Sequence, residues 1–213
     1  MRRTVVGVTA LVVAGAAVVG TLVHDSASAS TVHDSPSAAA VHDSPSAAAS
    51  STPTGEAAAP PDVTQADGLL PAGVTPSDTR YPGIANLRPD LLAALRRAAA
   101  DAAAAGVRLD VTSGWRSAAY QSRLMSHAVA TYGSAAEAAR WVAGPTTSSH
   151  VSGGAVDVGP TAAASWLARH GAAHGLCQTY RNEPWHYELR PAAVRSGCPA
   201  MYADPTQDPR LQQ

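Results

Sequence analysis

The apolar positions of this chain fall into short, punctuated segments from about Gly68 onward, and their spacing predicts helices early and strands late. Leu91, Leu92, Leu95, Ala98 and Ala102 share one helical face; Pro89 and Asp90 open that helix, and Gly106 stands where a C-terminal cap belongs. Val107 to Thr112 alternates apolar and polar residues, the pattern of a half-buried strand. A second helix is expected over about 118–129. A third begins at the S-x-x-E box of Ser134 and Glu137 and runs to about Gly144. A strand at 155–158, a helix from about Ala162 to His174 stopped by Gly175, and strands at 176–180 and 185–189 complete the pattern. This order predicts an α+β fold, a small antiparallel sheet packed against several helices.

The first third of the chain reads differently. Arg2 and Arg3 precede the uncharged stretch Thr4 to Val23, and Ala27-Ser28-Ala29 has the small-x-small form that signal peptidases accept. Residues 1–29 therefore read as a signal peptide or, uncleaved, as a signal anchor, the latter being the only expected membrane contact. From Val23 a nonapeptide recurs (VHDSASAST, VHDSPSAAA, VHDSPSAAA), and residues 30–67 read as a disordered Ser/Ala/Pro-rich spacer carrying the domain outward from the membrane. The folded domain is expected over 68–203, with 204–213 as a C-terminal tail. Outside the cytoplasmic membrane, secreted or at the cell surface, Cys177 and Cys198 are expected to pair. Fifteen basic against sixteen acidic side chains leave a formal charge of -1, which excludes a large positive field for nucleic acid, and a monomer is expected.

Three segments combine scarce polar residues with glycines: SGWRSAAYQ (113–121), SSHVSGGAVDVG (148–159) and EPWHYEL (183–189). His150, Asp157 and His186 supply the three-ligand His/Asp set that a catalytic zinc takes, with a fourth position left to water. Glu183 lies three residues before His186, so a regular strand would point the two to opposite faces; Pro184 predicts irregular backbone that lets them converge. A carboxylate near the metal but not bound to it serves as general base. Trp185 and Tyr187 form either the back of the sheet or a wall of the pocket. His170 and His174 read as helix residues rather than ligands, His127 as a helix-end residue, and Trp141 and Trp166 as core.

Taken together these segments resemble the zinc D-alanyl-D-alanine carboxypeptidases of the VanY type, within the LAS group that also includes lysostaphin-like endopeptidases and the hedgehog signalling domain. Ser148, His150, Gly153, Ala155 and Asp157 match S-x-H-x-x-G-x-A-x-D; Glu183, Trp185 and His186 match E-x-W-H. Ser113, Gly114, Arg116, Ser117 and Gln121 match S-G-[YF]-R-S-x-x-x-Q, with Trp115 in place of the usual smaller aromatic. The resemblance spans about 68–195. It implies one Zn2+ held by His150, Asp157 and His186, Glu183 as base, and Arg116 facing either the oxyanion or the terminal carboxylate of the substrate. Gln121, Ser148 and Trp185 are the expected substrate-binding residues. The implied reaction is hydrolysis of the terminal D-Ala-D-Ala amide of peptidoglycan stem peptides. A related endopeptidase or D,D-dipeptidase, and a catalytically silent wall-binding module, are the alternatives.

Overall fold

The computed structural model describes residues 62–212; the N-terminal segment and the nonapeptide repeats lie outside the described residues. Four strands, β1 (Asp110–Ser113), β2 (Ala155–Gly159), β3 (Leu176–Gln178) and β4 (His186–Leu189), form one sheet in the order β1-β2-β4-β3 with every pair antiparallel. Six helices accompany them: α1 (Pro82–Ala85), α2 (Pro89–Ala104), α3 (Ala118–Tyr132), α4 (Ala135–Ala138), α5 (Thr161–His170) and α6 (Ala193–Ser196). The α+β expectation holds.

Alternation along the strands sorts the sheet into two chemically distinct faces. Val111, Val156, Val158, Leu176 and Tyr187 join the leucine face of α2 and Ala163, Ala164, Trp166 and Leu167 of α5 in one apolar core. The Tyr187 hydroxyl is satisfied there by donating to the Ala164 carbonyl at 2.8 Å, which makes this ring part of the core rather than a pocket wall. The other face carries Asp157, His186 and Glu188, all buried. In β1 the register slips between Val111 and Ser113, so that Thr112 is an extra residue and Ser113 stands opposite Asp157. Without that bulge Ser113 would share the core face of Val111, two residues away; with it, the segment leading to Arg116 is delivered to the polar face.

Several boundaries depart from the sequence reading. Gly106, at φ 74°, ends α2 as expected, but Val107 is still tied to it by a hydrogen bond to the Ala102 carbonyl, and pairing with β2 begins only at Asp110. Ser134 does cap α4 through the Glu137 amide, yet the helix stops at Ala138. The Arg140 carbonyl is taken by the Asn182 side chain at 2.7 Å, and its guanidinium reaches Asp204, so the chain leaves helical geometry. The helix expected to reach His174 ends at His170 and continues as a 3-10 turn, Gly171–His174.

Residues on both sides of the 68–203 span pack against it. Asp67 accepts from the Ser117 hydroxyl at 3.0 Å, and its carbonyl accepts the Ser117 amide at 2.8 Å. At the other end Asp204, Pro205 and Asp208 are buried, and Arg210 pairs with Glu188 on the polar face of the sheet. No sequence periodicity announces this docking, because two 3-10 turns, Pro205–Gln207 and Pro209–Leu211, form its only regular structure. Cys177 and Cys198 are disulfide-bonded, closing a loop with sequence separation 21. Such a cross-link contributes about 3 kcal/mol in the chain-entropy account. Among the described residues no helix is long and apolar enough to cross a membrane.

Candidate active site

Register alone makes Asp157 and His186 neighbours: they face each other across β2 and β4, and their side chains leave the same face. His150 arrives from the loop before β2. That loop is pinned where Gly153 sits at φ 69°, and a Cβ there would lie 2.3 Å from the Asn86 carbonyl oxygen. The Gly153 carbonyl accepts the Arg88 amide at 2.9 Å, and its amide donates to the His150 carbonyl. Substituting Gly153→Ala is therefore expected to cost on the order of 1–3 kcal/mol through backbone strain alone. Urea unfolding of the variant measures it, and an unchanged midpoint would contradict this account of the loop.

The His150 imidazole donates through Nδ1 to the Gly114 carbonyl at 2.8 Å, leaving the Nε2 lone pair to point inward. His150 Nε2 lies 3.2 Å from His186 Nδ1 and 3.4 Å from Asp157 Oδ1, and His186 Nδ1 lies 3.1 Å from that oxygen. Zinc bonds of about 2.0–2.1 Å at tetrahedral angles separate ligand atoms by about 3.3 Å, so these three atoms have the spacing of one face of a zinc tetrahedron. Their ligand atoms lie within 4.8 Å of one another, and they form the one such buried group among the described residues.

Electrostatics point the same way. Although burial works against it, contacts with Asp157, Glu188 and Glu183 push the His186 pKa up to about 10, so zinc binding at this ring would have to displace a proton. For His150, burial and then Arg116 lower the pKa, the direction that favours the neutral ring a ligand presents. Burial alone would raise Asp157, yet His150, His186 and Arg116 hold it well below the usual carboxylate value. The donor set fits zinc. The Nε2 atom of His186 faces Glu188 Oε1 at 3.5 Å, and Ser149 donates to that same oxygen at 3.1 Å. The 3.5 Å approach is a charge contact rather than a hydrogen bond, since His186 Nε2 has no hydrogen-bond partner among the described residues; an outer carboxylate on this side favours the tautomer protonated at Nε2.

Glu183 is buried beside this group but outside it, with Oε2 3.6 Å from His186 Nδ1. Its backbone is a turn in which the His186 amide donates to the Glu183 carbonyl at 3.1 Å, the irregularity that Pro184 predicts. Burial raises the Glu183 pKa to about 7. Arg116 is buried too. Its guanidinium donates to Asp157 Oδ2 at 2.7 Å, to Ser113 Oγ at 2.7 Å and to Gln121 Oε1 at 3.3 Å. Gln121 also donates to the Ala143 carbonyl at 2.8 Å. Both ends of that amide are thus engaged within the protein, and Gln121 braces Arg116 while lining the cavity of the site.

These groups line a cavity of about 200 Å3. Ser148 and Trp185 border it, and Trp185 also borders a second cavity. Three features escaped the sequence reading. His127 lies inside α3, since the helix runs on to Tyr132, and it faces the cavity. Trp141 stacks on Tyr132 with centroids 5.8 Å apart and forms an apolar wall of the cleft instead of core. Glu188, two residues after His186 and so on its face of β4, was legible from strand alternation.

A buried His/His/Asp triad with an unbound carboxylate at the floor of a cleft defines a metal-dependent hydrolase site. The family model described as "VanY: D-alanyl-D-alanine carboxypeptidase" matches residues 84–192, just over half of the chain. The chain belongs to this family and is a zinc-dependent metallopeptidase of the VanY/LAS type. Among solved structures it is similar to the vancomycin-resistance D,D-pentapeptidase VanY of a VanB-type resistance cassette in complex with Zn(II). The two are 27% identical over 54% of this chain and 80% of that one, with a TM-score of 0.50. VanYB in complex with D-alanine-D-alanine is 28% identical over 52% and 74%, with a TM-score of 0.49. The L,D-carboxypeptidase LdcB is 23% identical over 63% and 73%, with a TM-score of 0.48. No curated protein matches the chain.

Proposed function

We propose that the protein is a D,D-carboxypeptidase that removes the terminal D-Ala from peptidoglycan stem peptides outside the cytoplasmic membrane. The observation that carries this reading is the position of Glu183: a buried acid adjoining the triad, not part of it, and open to the cavity. A bound zinc ion supplies a Lewis acid for the scissile carbonyl and lowers the pKa of water. His150 Nε2, His186 Nδ1 and Asp157 Oδ1 would hold it. Glu183 takes a proton from the attacking water on a carboxylate oxygen and returns it to the departing D-Ala amine. Arg116 adds a permanent positive charge in the cavity wall for the anionic groups of the substrate, its plane braced by Ser113, Gln121 and Asp157. Ser148 and Trp185 bound the space that the peptide enters.

The family and the structural relative that binds zinc support the substrate class. The disulfide supports an oxidising compartment, in keeping with the export signal read from residues 1–29. Muropeptides ending in D-Ala-D-Ala, incubated with zinc-loaded protein and followed by mass spectrometry, are expected to lose a single alanine residue. Release of the intact dipeptide, internal cleavage or no change would each refute the D,D-carboxypeptidase assignment.

A further inference from the structure

The residues matched by the family model end at 192, yet the segment beyond them reaches the metal ligands by two routes. Arg210 donates through its terminal nitrogens to both oxygens of Glu188, at 2.7 Å and 3.4 Å. Arg190 adds a contact of 2.9 Å to one of those oxygens. Glu188 in turn faces His186 Nε2, the nitrogen on the side away from the cluster. The second route starts at Asp208, which is fully buried. It is clasped by Arg210 through the Nε and terminal N–H groups, and it accepts from the Tyr180 hydroxyl at 3.0 Å. The Tyr180 ring lies 5.1 Å from the His186 ring, centroid to centroid.

We propose that Arg210 is a positioning residue for the metal, acting through Glu188 to orient the His186 imidazole with Nδ1 toward the ion. The inference rests on the metallopeptidase reading above. A ligating histidine must offer a lone pair on one nitrogen, and the tautomer is set by the partner of the other. Glu188 Oε1 stands 3.5 Å from Nε2, a charge contact short of a hydrogen bond, and it performs that task only while its carboxylate is held on that side of the ring. Arg210 grips both of its oxygens, and Asp208 keeps the guanidinium in place. The C-terminal residues are in this view part of the site, set after the family-matched region in sequence and beneath the sheet's polar face in space.

The test is zinc affinity of the whole chain, measured by competition with a chromophoric chelator. Arg210→Met keeps the apolar stem and is expected to weaken zinc binding about tenfold to hundredfold, the range for outer partners of metal ligands. Arg210→Lys should recover part of that loss. Arg140→Met removes the ion pair of the same segment to Asp204 and should leave zinc affinity unchanged. Unchanged affinity in folded Arg210→Met overturns the proposal, as do equal losses in Arg140→Met and Arg210→Met, which would reduce the segment to packing. Should Arg210→Met not fold, Glu188→Gln tests the same link at constant volume, with the same loss expected and unchanged affinity again overturning it. Wild-type protein that binds no zinc refutes the metallopeptidase reading itself, whereas tight wild-type binding with every variant alike refutes only the role of Arg210.

Discussion

Substituting Glu183→Gln is expected to lower kcat for D-Ala release by about a hundredfold to ten-thousandfold, the contribution of a positioned acid-base group. KM and zinc content should change little, because Glu183 lies outside the ligand set and the amide keeps its shape. The expectation follows from position: the carboxylate is buried, 3.6 Å from His186 Nδ1, and held by a turn whose carbonyl binds the His186 amide. Steady-state kinetics with a D-Ala-D-Ala-terminated peptide, together with metal analysis, provide the check. Full activity in the variant would remove Glu183 from the mechanism. Lost activity accompanied by lost zinc would make it a ligand instead of a base.

Removing a ligand should have the largest effect. His150→Ala is the cleanest choice, because among the described residues the His150 side chain hydrogen-bonds outside the cluster to the Gly114 carbonyl alone, so its loss leaves the Arg116–Asp157 ion pair in place. Zinc affinity is expected to fall by more than the tenfold to hundredfold typical of outer-shell changes, and D-Ala release to vanish at any zinc level the assay tolerates. Thermal unfolding supplies an independent readout. A ion that binds the native state alone raises its stability with concentration, so the midpoint of the wild type should climb on zinc addition while that of His150→Ala stays put. Equal zinc-dependent shifts in both proteins would place the ion elsewhere.

Specific residues mark how far the chain could be read before folding. The leucine face of α2, the glycine after it and the ligand trio all rest on local signals: 3.6-residue spacing, a left-handed cap, and scarce residue types set among glycines. Pro184 was enough to forecast the turn that brings Glu183 to His186. For Gln121, sequence shows which groups can hydrogen-bond but not with whom; the fold sets its amide between Arg116 and the Ala143 carbonyl, in the cavity wall. Trp141 was misjudged because an aromatic at helical spacing looks alike whether it faces core or cleft.

Residue chemistry and short-range periodicity marked the fold class, and together with the resemblance of three motifs they singled out the candidate ligands and the acid beside them, since each depends on what a few neighbouring side chains are. Tertiary structure alone decided the rest. The bulge at Thr112 turned the Ser113–Arg116 segment toward Asp157, and strand register placed Asp157 against His186. Packing of the last nine described residues set Arg210 on Glu188. The physical reason is that hydrogen-bond partners separated by 22 or 41 positions are selected by how strands and turns pack, and no local pattern encodes that choice.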